Sequence, residues 1–284
     1  MPASAILLIH CPDRKGIVAG ISSFLYAQGA NILHADQHQD NDLGLFFMRV
    51  EWDLADFALD DEGFRQNFQP LADSFQMEWR LAYSAARPAT AVFVSQHQHC
   101  LLDLLYRHAI GELRCHIPLI VGNHATAREL AGFYGIPFHY VPVDAANKAQ
   151  AEQAQLALLE QHGIELIVLA RYMQVLSPAF VARYRQRIIN VHHSFLPAFS
   201  GARPYQAAYH RGVKLIGATS HYVTEVLDDG PIIEQDVVRV SHRDQLGDLV
   251  QKGRDLERMV LSRAVRWHLE HRILHYAGKT VIFD

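Results

Sequence analysis

The sequence predicts an α/β protein with two domains: a small ferredoxin-like domain, followed by a larger doubly wound domain with a mostly parallel sheet. Three observations support this prediction. The first 84 residues follow the order βαββαβ, residues 85–89 are small and proline-bearing, and apolar runs alternate with helical segments from residue 90 onward. We therefore expect one domain at residues 1–84, a linker at 85–89, and a second domain at 90–284.

Hydrophobic periodicity predicts the elements of the first domain. Apolar or alternating stretches predict four strands, at residues 5–10, 31–38, 45–53 and 77–83. Apolar residues at helical spacing predict two helices, at residues 17–29 and 64–75. This order is that of the split βαβ fold.

The second domain reads as a series of buried strands and covering helices. Short apolar runs predict strands at residues 90–95, 117–121, 138–141, 164–170 and 187–189. The segments between them predict helices at residues 100–110, 127–134 and 145–162, with a long closing helix at 244–271. Ser177 and Pro178 are typical of a helix cap and a first helical residue. Such alternation indicates parallel strands with helices on both faces.

Composition narrows the class of protein. The chain has 284 residues, half of them hydrophobic, and a formal charge of −4, so we expect neither a nucleic-acid partner nor a membrane partner. It has no apolar run of about eighteen residues and no basic-then-apolar leader, which predicts a soluble, cytoplasmic protein. Cys11, Cys100 and Cys115 are few, scattered and flanked by apolar residues, and we predict buried, reduced thiols.

The eighteen histidines invite a test for metal binding. His34, Asp36 and His38 alternate on one face of a predicted strand, and His97 and His99 are two residues apart before a helix. Histidine and aspartate are also ordinary on a solvated strand face or in a loop. We predict no metal site.

A polar cluster at residues 190–197 follows the predicted strand at 187–189, at the edge of the sheet where open α/β sheets bind ligands. Side chains alternate along extended backbone, so Asn190 and His192 are expected to face the same way. The amide can hold an oxyanion, the imidazole can carry a proton, and Asp228 can orient the imidazole. Each residue alone is also explained by a cap, a satisfied histidine or a turn.

The motifs at residues 190–197, 217–223 and 228–233, Asn-x-His-x-Ser-x-Leu-Pro, Gly-x-Thr-x-His-x-Val and Asp-x-Gly-Pro-Ile-Ile, resemble those of the folate-dependent formyltransferase superfamily. His192-His193, where transferring relatives usually have His-Pro, resembles the deformylase branch. The resemblance extends from about Ile6 to Phe283.

This resemblance implies a hydrolase that converts 10-formyltetrahydrofolate to formate and tetrahydrofolate, supplies formate for purine biosynthesis and balances one-carbon folate pools. It implies Asn190, His192 and Asp228 as catalytic residues and no cofactor. His193 is expected to position water or to have only a structural role. The family's folate-binding segments correspond here to Arg171, Tyr172, Met173, Val175, Leu176, Val223 and Gly230. Core packing is the alternative for Met173 and Val175.

The loop after the first strand of the second domain separates two possible activities. By resemblance to the family, relatives that formylate a phosphorylated amine have a glycine-rich sequence in this loop, where backbone N–H groups bind the phosphate. Residues 95–102 contain no glycine. We therefore expect water to be the acceptor, with formyl transfer to an amine by the same three residues as the alternative.

The motif at residues 11–18, with Gly29-Ala30-Asn31-Ile32, resembles the ACT domain. The resemblance implies a regulatory unit that binds an amino-acid effector and pairs into a homodimer or homotetramer. Asp13 and Asn31 are candidates for holding the effector's ammonium group. Their alternative roles are to close a turn and to open the second strand.

Overall fold

The computed structural model describes residues 3–198 and 204–283. The chain forms two compact units, one of residues 1–86 with 270–284 and one of residues 87–269. No helix in the described part of the chain is both long enough and apolar enough to cross a membrane.

The first unit has the predicted βαββαβ order. Its elements are β1 (Ser4–Pro12), α1 (Ile17–Ala27), β2 (Ile32–Asp40), β3 (Leu45–Asp53), α2 (Asp61–Phe75) and β4 (Glu78–Tyr83). The strands form an antiparallel sheet in the order β2-β3-β1-β4. The ferredoxin-like prediction is therefore confirmed.

Alternation along β1 gives this sheet two buried faces. Leu7 and Ile9 point into the core beneath the helices, where Trp52, Phe64 and Phe68 pack together. The neighbouring Leu8 points to the other face. The fully apolar run in β1 is therefore a strand that is covered on both sides.

The C-terminal segment covers that second face, which corrects the sequence interpretation. Residues 270–284 were expected in the second domain, but they cluster with the first unit. They form the hairpin β12 (Ile273–Tyr276) and β13 (Lys279–Ile282). Phe283 packs in the cluster of Leu8 and Phe47, and the buried Arg49 donates from Nε to the carbonyl of His271 at 3.0 Å.

The second unit alternates strands and helices as expected. Its elements are β5 (Ala89–Val94), α3 (His99–Ala109), β6 (His116–Gly122), a 3₁₀ turn (Ala125–Ala127), α4 (Arg128–Phe133), β7 (Phe138–Tyr140), α5 (Lys148–Gln161), β8 (Leu166–Ala170), α6 (Pro178–Arg183), β9 (Ile188–His192), α7 (Pro204–Arg211), β10 (Leu215–Tyr222), β11 (Ile232–Arg239) and α8 (Leu246–Leu269). Ser177 accepts from the N–H of Phe180 and caps α6 as predicted.

The seven strands of this unit lie in the order β11-β10-β9-β8-β5-β6-β7. The five strands from β9 to β7 are parallel, and β10 and β11 extend the sheet as antiparallel strands. This confirms a doubly wound, mostly parallel domain. The order reverses between β5 and β8, and the carboxyl ends of strands at such a switch point are where these sheets bind ligands.

Candidate active site

Strand β9 carries the amide and the imidazole of the predicted site. The strand was expected to end before Asn190, but it continues to His192 because β10 pairs with it. The register sets Asn190 opposite His221 and His192 opposite Thr219. Asn190 and His192 both line one cavity, so the structure brings these two predicted residues together.

His221 orients the amide of Asn190, and the sequence analysis did not select it as a site residue. Its Nδ1 lies 2.9 Å from the carbonyl oxygen of Tyr222, and a carbonyl only accepts, so Nδ1 carries the proton. Nε2 is then the acceptor for the Asn190 Nδ2–H group at 3.3 Å. Burial lowers the pKa of His221, which favours this neutral ring. The second N–H of Asn190 is left for a substrate oxygen.

Asp228 completes the predicted set. Its Oδ2 lies 3.2 Å from Nδ1 of His192, and the two side chains are 10% and 6% exposed. The hydrogen bond from His192 holds the pKa of Asp228 below its ordinary value, so the carboxylate is ionised. The Nε2 atom of His192 has no hydrogen-bond partner among the described residues. The imidazole is therefore oriented at one nitrogen and open to chemistry at the other.

A tight loop holds Asp228 in place. Asp228 adopts a left-handed backbone conformation, with φ of 57°. Two residues later, a Cβ on Gly230 would lie 1.7 Å from the carbonyl oxygen of Tyr222, so only glycine fits this approach. Gly230 was predicted to bind folate, but it is not among the residues that line the cavity. The glycine is explained by packing of the loop against the end of β10.

The cavity has a volume of about 300 Å³ and is bounded by the segment after β8 and the loop before β11. Its walls include the other predicted folate-binding residues, Arg171, Tyr172, Met173, Val175, Leu176 and Val223. Met173 and Val175 are each 54% exposed, so simple core packing does not explain them. Tyr172 is buried, and its hydroxyl accepts from Gln155 at 2.8 Å, so its side chain supports the wall.

His193 lies next to His192 but in a different environment. The rings of His192 and His193 are 5.1 Å apart, and Tyr205 lies 5.8 Å from His193. Burial lowers the pKa of His193 to about 3, and the positive charge of Arg171 contributes to this shift. His193 is therefore neutral at physiological pH.

A buried carboxylate, Glu257 on α8, organises the polar groups behind His193. Its oxygens bind His99 Nε2 at 2.6 Å and the Tyr205 hydroxyl at 2.5 Å, and Nη1 of Arg171 is 3.4 Å away. Burial opposes ionisation, but these partners outweigh it and lower the pKa of Glu257. Sequence reasoning missed Glu257, although a lone acid on the apolar face of α8 is a usable signal.

Among the described residues, one group could in principle hold a metal ion. It consists of His99, Cys100 and Glu257 of this cluster, whose donor atoms lie within 4.8 Å of one another. The donor set does not suit a cation. The carboxylate is already engaged by His99, Tyr205 and Arg171, and burial raises the pKa of the Cys100 thiol. The arrangement is better explained as an internal hydrogen-bond network. Cys11, Cys100 and Cys115 are all buried free thiols.

The other predicted candidates lie in the first unit. Asp13 lines a cavity of about 470 Å³, where Gln39 donates to its carboxylate. Asn31 does not line this cavity; its amide donates to Asp53 at 3.0 Å, which favours a role in opening the second strand. His34 and His38 lie on the exposed edge strand β2.

Each of the two units matches the model of a known family. The formyl transferase family model matches residues 89–265, and the ACT domain model matches residues 5–57. The formyltetrahydrofolate deformylase of Synechocystis is 54% identical over 280 residues, covering 99% of this chain and 98% of that protein. The Bacillus subtilis formyltetrahydrofolate deformylase is 49% identical, covering 98% and 93%.

Solved structures agree with the sequence relatives. A crystal structure of a formyltetrahydrofolate deformylase from Pseudomonas syringae pv. tomato superimposes with a TM-score of 0.97 at 48% identity, covering 100% of this chain and 95% of that one. The chain therefore belongs to the formyltetrahydrofolate deformylase family. The resemblance inferred from the sequence motifs is confirmed.

Proposed function

We propose that this protein hydrolyses 10-formyltetrahydrofolate to formate and tetrahydrofolate. The observation that carries the proposal is the convergence of Asn190, His192 and Asp228 in one cavity of a deformylase-family fold. The cavity offers an amide N–H, an imidazole nitrogen without a hydrogen-bond partner among the described residues, and a largely buried carboxylate at the other nitrogen of that imidazole. These groups meet the needs of acyl transfer to water.

The first step is attack by water on the formyl carbon. Nε2 of His192 takes a proton from water as the new C–O bond forms, and Asp228 balances the charge of the resulting imidazolium. The free N–H of Asn190 and the new Nε2–H donate to the oxyanion. His192 then passes the proton to N10, the C–N10 bond breaks, and tetrahydrofolate leaves together with formic acid, which releases its proton to solvent as formate.

The pterin ring is proposed to lie against the segment after β8. Backbone groups of residues 172–176 offer donors and acceptors to its edge, while the exposed side chains of Met173 and Val175 cover its face. Val223 also lines the cavity. Arg171, which lines the same cavity, is proposed to contact the folate at its deep end.

The proposed reaction needs neither a metal nor a cofactor, because the protein supplies each role itself. The His192–Asp228 pair moves the proton, and the amide of Asn190, oriented by His221, holds the oxyanion. Formyl transfer to an amine by the same residues is not favoured, since the relatives that match the whole chain are deformylases.

Formate release from purified protein and 10-formyltetrahydrofolate, with a chelator present and no amine added, tests the proposal. We expect formate and tetrahydrofolate in equal amounts. Release only after a metal is restored would contradict the metal-independent mechanism. Loss of the formyl donor only when an amine is supplied would identify a transferase.

The first unit is proposed to regulate this reaction. The cavity beside Asp13 offers a carboxylate for an ammonium group, and an amino-acid effector is the ligand that the ACT match suggests. We further propose a homodimer or homotetramer, located in the cytoplasm, whose formate feeds purine biosynthesis and whose turnover balances one-carbon folate pools. Mass photometry with and without amino acids tests the assembly.

A further inference from the structure

A second cavity adjoins the substrate cavity in the same unit. We call it the side cavity; it has a volume of about 440 Å³, and His97, His99, Arg254 and Glu257 lie on its walls. Arg171, Met173 and His193 line both cavities. These three residues therefore form the partition between the side cavity and the reacting groups.

Arg171 is held firmly in this partition. Its backbone is left-handed, with φ of 61°, and its carbonyl accepts from the N–H of Ser95 at 3.3 Å. The Ser95 hydroxyl accepts from the N–H of Met173 at 2.9 Å, so the segments after β5 and β8 are tied together at the switch point. Only 8% of Arg171 is exposed.

The guanidinium group lies beside a buried carboxylate. Nη1 of Arg171 lies 3.4 Å from Glu257, whose carboxylate is itself held by His99 and Tyr205. Gly253 makes room for this arrangement, because a Cβ there would lie 2.1 Å from the Tyr205 hydroxyl oxygen. Glu257 therefore attracts the guanidinium group at the partition, although Nε and Nη1 of Arg171 make no hydrogen bond with the described residues.

We propose that Arg171 determines the acceptor of the reaction by closing the passage from the side cavity to the formyl group. An amine needs space for the substituent beside its nitrogen, whereas water needs none. Arg171 lines both cavities and lies between them, so its side chain takes up that space. This inference rests on the proposed hydrolysis and deepens it.

Removal of the Arg171 side chain is expected to allow a second reaction, formyl transfer to an amine. A neutral amine nitrogen then attacks the formyl carbon from the side cavity, and His192 carries the amine proton to N10. The C–N10 bond breaks, and the products are an N-formyl amine and tetrahydrofolate. The amine takes the place of water in this reaction, and the other bonds that form and break are the same as in hydrolysis.

The test uses the full chain, 10-formyltetrahydrofolate and O-benzylhydroxylamine, an amine that is neutral at the assay pH. Mass spectrometry measures the ratio of its N-formyl product to formate, corrected for the reaction without enzyme. Arg171→Gly is the main variant, because glycine accepts the left-handed backbone at this position. The ratio does not depend on how much of a variant is folded.

We expect Arg171→Gly to raise the ratio at least tenfold over the wild type. Arg171→Met keeps the bulk without the charge, and its ratio should stay within twofold of the wild type. Arg254→Ala removes the other cation of the side cavity and is the matched control, with no expected change. Glu257→Gln, which releases the guanidinium without truncating it, should raise the ratio to a smaller extent.

An unchanged ratio in both Arg171→Gly and Glu257→Gln would overturn the inference. An equal rise in Arg254→Ala would also overturn it, because the charge of the cavity and not the position of Arg171 would then select the acceptor. If Arg171→Gly gives no turnover, Glu257→Gln decides alone. Failure of the wild type to release formate would instead refute the proposed function.

Discussion

Replacement of Asp228 by asparagine removes one negative charge beside His192 and hardly changes the volume of the side chain. When His192 takes a proton from water, the imidazolium lies 3.2 Å from the carboxylate oxygen, and both side chains are nearly buried. At an effective dielectric constant of about 20, unit charges at that distance attract by about 5 kcal/mol. Since each 1.4 kcal/mol corresponds to about a tenfold change in rate, kcat should fall by about 10³- to 10⁴-fold.

The assay measures kcat from tetrahydrofolate formation, with formate determined independently and a chelator present. Asp229→Asn is the matched control, because it makes the same charge change at the next residue, which is exposed and lies outside the cavity lining. That variant should keep wild-type turnover, and circular dichroism should show both variants folded. If Asp228→Asn retained more than a tenth of the wild-type kcat, the proposed role of the carboxylate would be refuted.

Three further predictions follow from the geometry. Asn190→Ala removes one oxyanion donor and should lower kcat by about 10²- to 10³-fold with little change in KM, measured in the same assay. Gly230→Ala places a Cβ 1.7 Å from the carbonyl oxygen of Tyr222, so thermal unfolding should show destabilisation by at least about 1–3 kcal/mol, together with loss of activity as the Asp228 loop shifts. His193 has an ordinary pKa of 6.5 and a folded pKa of about 3, so its contribution to stability is present above pH 6.5 and is lost as the pH falls toward 3. Urea unfolding should show His193→Asn losing up to about 2 kcal/mol less than the wild type between about pH 6.5 and 5; equal losses would show that His193 is not buried in its neutral form.

Local patterns in the sequence were sufficient to predict the relation between Asn190 and His192. Alternation along a strand places them on one face whichever strand lies beside them. Pairing of β9 with β10 set the position of His221, and a register between distant strands cannot be read from one sequence. A usable signal did exist, because Thr219 and His221 repeat the same alternation.

Asp228 and Glu257 show a different limit. Asp228 was proposed from its chemistry and from the motif resemblance, but its place beside His192 could not be derived, because it depends on a left-handed residue and on the close approach of Gly230 to β10. Glu257 lies on the buried face of α8, where an acid is costly unless it is paired. Its partners Arg171, His99 and Tyr205 come from three other segments. The sequence therefore shows an unusual acid on an apolar helix face but not the residues that pair with it.

The C-terminal hairpin was missed for a third reason. Its strands are short, and its two central turn residues, Ala277 and Gly278, have positive φ angles of 42° and 76°. A turn of this kind usually carries Asn-Gly or Asp-Gly, so Ala-Gly gave a weak signal. The stronger indication was β1 itself, whose continuous apolar run required cover on both faces of the sheet.

The two adjacent histidines, His192 and His193, have different roles in the proposed reaction because their surroundings differ. His192 faces the carboxylate of Asp228, so the ring can hold a second proton while the local charge stays balanced. His193 is partly buried beside Arg171, and burial first and the positive charge of Arg171 second lower its pKa to about 3, which disfavours a second proton there. Proton transfer is therefore assigned to His192, and His193 contributes shape to the partition. A protonated His193 would add a second charge beside Arg171, so the partition depends on His193 remaining neutral.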